Sequence, residues 1–380
     1  MNPAQSTFLD ALRGLAAQLV LVGHIHSTAN AGQTWGIGDL GVIVFFILSG
    51  FLISYSAQIK QARGGYRLPD FLRDRFFRIF VPYLPALLFI LLLDSYVFTH
   101  TNGVLYREHY NLKDFLATLL MLQQHPIGLF SDQMLGLEAF KLATFGSARP
   151  WWTVSIEWWL YVSFGLILFA PLVTRLSLLY LALLGLVSIV PLFNAVAGTG
   201  QGLSLIWGFM AFLAWAYIHW GEKVEARTGT FRDSGGRARL VLALLLATPC
   251  VLAIIRVIWI SYIETGFVFD RPRFYDFNLY VLLLLFFAVV FVLLGSRKES
   301  PRRPVVKFVA DYSYSLYLIH YSLIHAFHML GYLDGEDWGA LIACYVACNL
   351  TAMLFYLLFE RHYKHLQRLY ESRLLHGGRR

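Results

Sequence analysis

Charge is scarce in this chain. Asp, Glu, Lys and Arg make up 14% of its 380 residues, where a typical soluble domain carries about 25%. So few charges cannot clothe an ordinary aqueous surface, which excludes a soluble globular enzyme. Cysteine is nearly absent as well. Cys250, Cys344 and Cys348 all sit inside apolar runs, so no disulfide framework is expected. Cys344 and Cys348 are four apart and share a helix face, yet no His or acid is spaced to complete a metal site with them. They read as small residues for helix packing, and no metal is expected. No polar segment reaches even fifty residues, which leaves no room for a second, soluble domain. Residues 1–380 therefore read as a single integral membrane domain, with a core of about 6–360 and a basic tail over 361–380.

What is abundant is apolar sequence: 58% of the residues are hydrophobic and 16% aromatic. Runs near twenty residues recur along the chain, each long enough to cross about 30 Å of hydrocarbon. The fold class is all-α, a polytopic transmembrane helix bundle of about ten spans: 8–26, 36–58, 79–98, 151–172, 177–196, 202–220, 239–261, 277–295, 308–331 and 338–360. The first run contains Asp10 and Arg13 and lacks a small-residue cleavage pattern, so it does not read as a removable signal peptide. Basic residues gather in alternate connections. They are Lys60 to Arg78, Lys223 to Arg239, Arg297 to Lys307, and the tail from Arg361. The opposite loops are poor in Lys and Arg, and residues 334–337 (DGED) are acidic. The positive-inside rule then puts both termini in the cytoplasm. The net charge of +8 becomes a feature of one face, suited to anionic membrane lipids without any nucleic acid. Segment 99–150 faces outward in this scheme, and its DFLATLLML (114–122) is too short to span, reading as an interfacial or re-entrant helix. No internal repeat supports an inverted-repeat transporter.

Ionisable residues inside spans are costly and so point to sites. Arg13 and His24 lie eleven residues apart on the first span, which returns them to one helix stripe about 16 Å long. Arg13 reads equally as a topology anchor reaching to headgroups, and His24 as a helix-end residue touching water. For His26 the surface reading is preferred. The fourth span opens PWWTVSIEWWLY (150–161), placing Glu157 among four tryptophans. Those tryptophans also fit an interfacial belt. A Glu–His pair would hold an imidazole in one tautomer. Between spans two and three, YRLPDFLRDRFFRIFVPYLP (66–85) puts Arg75 and Arg78 on one helix face, with Pro82 marking entry to span three. This is a basic amphipathic helix on lipid or a phosphate site, and five Arg against one Lys in 60–78 favours the phosphate. His320 is deep in DYSYSLYLIHYSLIH (311–325), where a hydrogen-bonded core role competes with a site role. Ser49 and Gly50 interrupt the bulky run VFFILSGFLIS (44–54), chiefly for close helix contact.

LDALRGLAA with ten residues between Arg13 and His24, VFFILSGFLIS, RDRFFRIFVPY, WWTVSIEWWLY and YSYSLYLIH occur in that order. Together they resemble the acyltransferase 3 family of integral membrane proteins, which acylate sugars of envelope polysaccharides or small glycosides. The resemblance covers about residues 6 to 325. It implies a membrane O-acyltransferase, in default an O-acetyltransferase, that takes its acyl group from cytoplasmic acetyl-CoA or another acyl-CoA. The acceptor it implies is a carbohydrate hydroxyl, free or lipid-linked, and the location the bacterial inner (plasma) membrane. It makes His24, Glu157 and Arg13 the catalytic set. Arg75, Arg78, Arg13, Ser49 and Tyr83 become the cofactor-binding set, with His320 and Trp152 as further site residues. Two departures stand out. Tyr321 follows His320 where the family commonly has proline, and the family's frequent soluble extension is missing.

On this reading the CoA phosphates rest on Arg75 and Arg78, and the pantetheine arm threads towards His24. The imidazole either takes the acceptor's proton or is itself transiently acylated, and both routes need it neutral. Glu157 orients it. The alternative from another class is a proton-coupled small-molecule transporter, which also keeps His, Glu and Arg within the membrane. It leaves the arginine pair unexplained. Trp35, Trp151 and Trp152 could stack on sugar faces or form a belt; the acceptor, the acyl chain length and the oligomeric state are not encoded legibly.

Overall fold

The computed structural model describes residues 1–30, 37–102, 105–123, 125–126, 142–170, 177–196, 200, 202–230, 286–287, 290–291, 294, 303–333 and 335–377. Regular structure among the described residues is helical throughout. In chain order the helices are α1 (Pro3–Ala29), α2 (Ile37–Ala62), α3 (Leu68–His100), α4 (Leu112–Leu119), α5 (Trp152–Leu168), α6 (Leu178–Val196), α7 (Leu203–Thr230), α8 (Pro304–Asp311), α9 (Ser313–Met329), α10 (Trp338–Leu358) and α11 (Tyr363–Gly377). Short 3₁₀ turns stand at Arg107–His109, Arg149–Trp151 and Glu360–His362.

Six stretches are long and apolar enough to cross a membrane: Pro3–Ala29, Ile37–Ala62, Leu68–His100, Leu178–Val196, Leu203–Trp220 and Trp338–Arg373. They cover expected spans one, two, three, five, six and ten, and the chain is an integral membrane protein. Helices α5 and α9 cover expected spans four and nine. At 17 residues each they reach only about 25 Å. Expected spans seven and eight, 239–261 and 277–295, fall outside the described residues apart from isolated positions between 286 and 294.

Local chemistry accounts for several helix ends. Asn2 Oδ1 accepts from the Gln5 backbone N–H and Gln5 Oε1 from that of Asn2, both at 2.9 Å. With Pro3 between them this is a reciprocal capping box with proline at the first helical position. Asn111 caps α4 by accepting from Asp114 N–H at 2.9 Å, and Asp337 caps α10 through Gly339 N–H at 2.8 Å. One expectation is corrected. The arginine-rich segment 66–85 and span three are not an interfacial helix and a separate span divided at Pro82. Leu68–His100 is a single helix of 33 residues with Pro82 and Pro85 inside it, about 50 Å long. Proline removes one donor and crowds the preceding turn, but inside a membrane bundle neighbouring groups can absorb that disturbance.

The chain divides into two compact units. One comprises Met1–Ser27, Ala31–Ile59 and Leu205–Ser313; the other Thr28–Asn30, Lys60–Ser204 and Tyr314–Arg380. In the first, α1, α2 and α7 meet at small residues. A Cβ on Gly41 would lie 2.5 Å from Ala16 O, one on Gly23 2.7 Å from Gly38 N, and one on Gly50 2.4 Å from Trp207 O. Here backbone meets backbone, as the small residues of VFFILSGFLIS led one to expect. Ser49 Oγ accepts from Trp207 Nε1 at 3.0 Å, and Ser54 Oγ donates to Ala211 O at 3.0 Å. Phe51 gathers Tyr55, Tyr217, Phe287 and Phe291 around its ring.

In the second unit, α4 and the segment 142–150 are knitted to α3 by buried polar groups. Phe145 N–H donates to Thr118 Oγ1 at 2.8 Å, and Ala143 N–H to Asp114 Oδ1 at 3.1 Å. Ser147 donates to both oxygens of Asp94, from N–H at 2.8 Å and from Oγ at 2.6 Å. Gly146 has φ +49, and a Cβ there would stand 2.1 Å from Asp94 Oδ2. The eight-residue α4 is thus the short helix expected within 99–150. Gly50→Ala should lower the unfolding midpoint in detergent, at a cost of about 1–3 kcal/mol from overpacking. Gly208→Ala, where nothing lies within 4 Å, should leave the midpoint unchanged or raise it slightly. Equal effects would show that the close contact at Trp207 is not limiting.

Candidate active site

The expected site residues are shared between the two units. Arg13, His24 and Ser49 belong to the first. Arg13 is half-buried on α1, its Nη1 3.6 Å from Asp10 Oδ1 one turn earlier. His24 is half-buried on the same helix, towards its other end. Ser49 is held by the Trp207 indole.

Arg75, Arg78, Tyr83, Trp152, Glu157 and His320 all belong to the second unit. Helix α5 is set in place by the residues around its start. Trp151 is fully buried, and its Nε1 donates to Leu318 O at 2.8 Å. The Thr153 and Tyr317 hydroxyls lie 2.6 Å apart, and each reaches Pro150 O at 3.0 Å. One turn later Ser155 Oγ and Trp159 Nε1 both donate to Met121 O, at 2.6 and 2.8 Å. Glu157 is half-buried between these anchors and accepts a hydrogen bond from Tyr161. Trp152 packs over Gly200, where a Cβ would meet its ring at 2.4 Å. Tyr83 is fully buried; its hydroxyl donates to Thr118 O at 2.7 Å, and its ring lies 4.3 Å from that of Trp151. His320 is also buried, with Nδ1 3.0 Å from Leu316 O and 2.8 Å from Tyr317 O. Two carbonyl acceptors at Nδ1 place the proton there.

The arginines of α3 prove unequal. Arg73 Nη2 lies 2.9 Å from Asp70 Oδ1, and its Nε 2.9 Å from Glu371 Oε1 on α11, an ion pair without hydrogen-bond alignment. Arg78 Nη1 donates to Glu360 Oε1 at 2.6 Å. Glu360 is fully buried, and its other oxygen accepts from Ser315 N–H at 3.1 Å and Oγ at 2.6 Å. Arg75 stands over the Phe71 ring at 6.0 Å, and its Nε is buried without a hydrogen-bond partner. Among the described residues it makes no ion pair. Its guanidinium charge is uncancelled beside two that are neutralised.

A match to the acyltransferase 3 family model, an acyltransferase domain, covers residues 6–358. The chain belongs to the acyltransferase 3 family. This acyltransferase 3 chain is accordingly a membrane acyltransferase that draws on an acyl donor. Neither the curated proteins nor the solved structures gave a match. Two groups of the acyltransferase 3 unit escaped sequence reasoning. Glu360 is the last residue of expected span ten, beside the basic tail, and a carboxylate closing an apolar span is itself a signal. Tyr314 lies in YSYSLYLIH, where the sequence singles out His320. Its buried hydroxyl lacks a partner among the described residues and stands within electrostatic reach of Glu157, Tyr83, Glu360 and Arg78.

Glu360→Ala leaves Arg78 and Ser315 without their acceptor, and stability should fall by about 3 kcal/mol. Tyr314→Phe removes a hydroxyl whose burial without a partner costs about 1–3 kcal/mol, so stability should hold or rise. Thermal unfolding of the purified protein checks both, and the reverse ranking would contradict the assignment.

Proposed function

We propose that this chain is an O-acyltransferase, in default an O-acetyltransferase, moving the acyl group of a cytoplasmic acyl-CoA onto a hydroxyl of a cell-envelope or exported carbohydrate. The observation that carries the donor side is Arg75. In a segment of three arginines two are matched by carboxylates, and an arginine kept without one is suited to phosphate oxygens. Arg78 is pinned by Glu360 and offers its remaining donors from a fixed position. Arg13 is a further cation for the donor's phosphates.

The reaction breaks the thioester C–S bond and forms an ester C–O bond. His24 removes the acceptor's hydroxyl proton as the oxygen attacks the acyl carbon, and the departing CoA thiolate takes up a proton. In the covalent variant the imidazole nitrogen attacks first, and the acceptor oxygen then displaces it from the acyl-imidazole. Glu157 is the carboxylate assigned to orient the base.

Arg75→Ala should weaken saturable acetyl-CoA binding by roughly tenfold or more, the scale of a charge-assisted contact, with little change in thermal stability. His24→Ala should abolish acylation of surface glycans in cells, read by mass spectrometry. Wild-type protein with no saturable CoA binding, or glycans unchanged in His24→Ala cells, would overturn the proposal.

A further inference from the structure

We propose that Arg149, held by Tyr106 and Tyr321 with His325 packed against Tyr106, seats an acidic group of the acceptor, so that the preferred acceptor carries a carboxylate or a phosphate as well as its reactive hydroxyl. The inference rests on the acyl-transfer reading above and names a substrate class for it.

Arg149 is exposed in the turn that leads into α5, the helix of Glu157. Its Nη1 donates to the Tyr106 hydroxyl at 3.0 Å, and that hydroxyl is 2.6 Å from the hydroxyl of Tyr321. Neutral phenols fix a guanidinium in place without cancelling its charge. Among the described residues Arg149 makes no ion pair, and the described acids Glu108, Asp94 and Asp114 have other partners. Glu108 is turned to His109 at 3.4 Å. Asp94 is taken up by Ser147, and Asp114 by Asn111, His109 and Ala143. Of the other cations of this unit, Lys60, Arg73 and Arg78 each have a carboxylate within 2.9 Å, whereas Arg75, given to the donor above, has none among the described residues. Arg149 is likewise without a carboxylate among them and stands on a different element from Arg75.

An independent observation marks the same place. His325 is 2% exposed, and its Nε2 is buried without a hydrogen-bond partner among the described residues. Its ring meets Tyr106 edge-on at 5.2 Å and Phe98 at 6.5 Å. Arg107 lies 6.0 Å over Phe98 and adds a second cation to the patch. Tyr106 itself adopts φ +64, a left-handed conformation that is strained for a bulky side chain and is held only by its surroundings. A fixed, uncancelled guanidinium matches the planar oxygens of a carboxylate or the face of a phosphate. Arg149 precedes Glu157 by eight residues, about 12 Å along the rising chain. An acceptor that reaches both is longer than one sugar ring.

The test uses full-length protein in nanodiscs, titrated with glucose, glucuronic acid and glucose 1-phosphate and followed by tryptophan fluorescence. At least one anionic sugar should bind roughly tenfold more tightly than glucose. Arg149→Gln should abolish that preference, Arg149→Lys should keep part of it, and Tyr106→Phe should weaken it. Glucuronic acid ahead of the phosphate would assign an acidic sugar, and the reverse a phosphate-linked acceptor. Equal affinities for all three, no binding of any, or a preference that survives in Arg149→Gln would overturn the inference. Should Arg149→Gln fail to fold, the wild-type ranking alone decides. Acetyl-CoA titrated into the same wild-type preparation tests the donor reading separately. Donor binding without any preference for anionic sugars sinks the acceptor inference alone.

Discussion

A charge taken out of water must meet an opposite charge or a set of dipoles, and in a chain this poor in charge that demand organises the second unit. The Glu360 carboxylate is its central instance. Fully buried, it is tolerable only because Arg78 and both donors of Ser315 converge on it. Satisfying those contacts brings the first third of α3, the start of α9 and the turn after α10 to one point. The network from Lys60 through Asp74 and Gln367 to Glu371 and Arg73 ties α11 onto α3 by the same rule.

That rule separates structural cations from available ones. Arg73 and Arg78 spend charge on holding helices together, whereas Arg75 and Arg149 are held by aromatic rings or phenols and keep theirs. Sequence composition cannot make this distinction, because all four are arginines in or beside apolar segments. The two uncancelled guanidiniums stand on different elements, one near the start of α3 and one at the entrance to α5. The proposed donor and acceptor ends follow that division.

Where the determining chemistry lies within a few residues, the sequence is legible. The smallness of Ser49 and Gly50 anticipates a close helix approach, which the structure makes with α7, whereas the cap that Asn2 and Gln5 form at the start of α1 lies before the expected span 8–26. The apolar runs mark the helices because hydrocarbon permits little else. Misreadings arose where a local rule was overruled by packing. Pro82 ordinarily breaks a helix, yet α3 runs through it. In the basic segment 60–78, Asp70 and Asp74 lie within the segment, but the acids that pair with Arg78 and reach Arg73 from α11, Glu360 and Glu371, come from nearly three hundred positions away.

By itself, the sequence determined the class of molecule: a helical membrane protein, its main spans, and the motifs of a membrane acyltransferase, since hydropathy and motif spacing are short-range properties. Only the tertiary structure decided which arginines are neutralised, that Glu360 and Tyr314 stand beside Arg78, and that Tyr106 and Tyr321 converge on Arg149. Those are pairings between residues far apart in the chain, and electrostatic energy depends on distance in space, which no spacing along the sequence records.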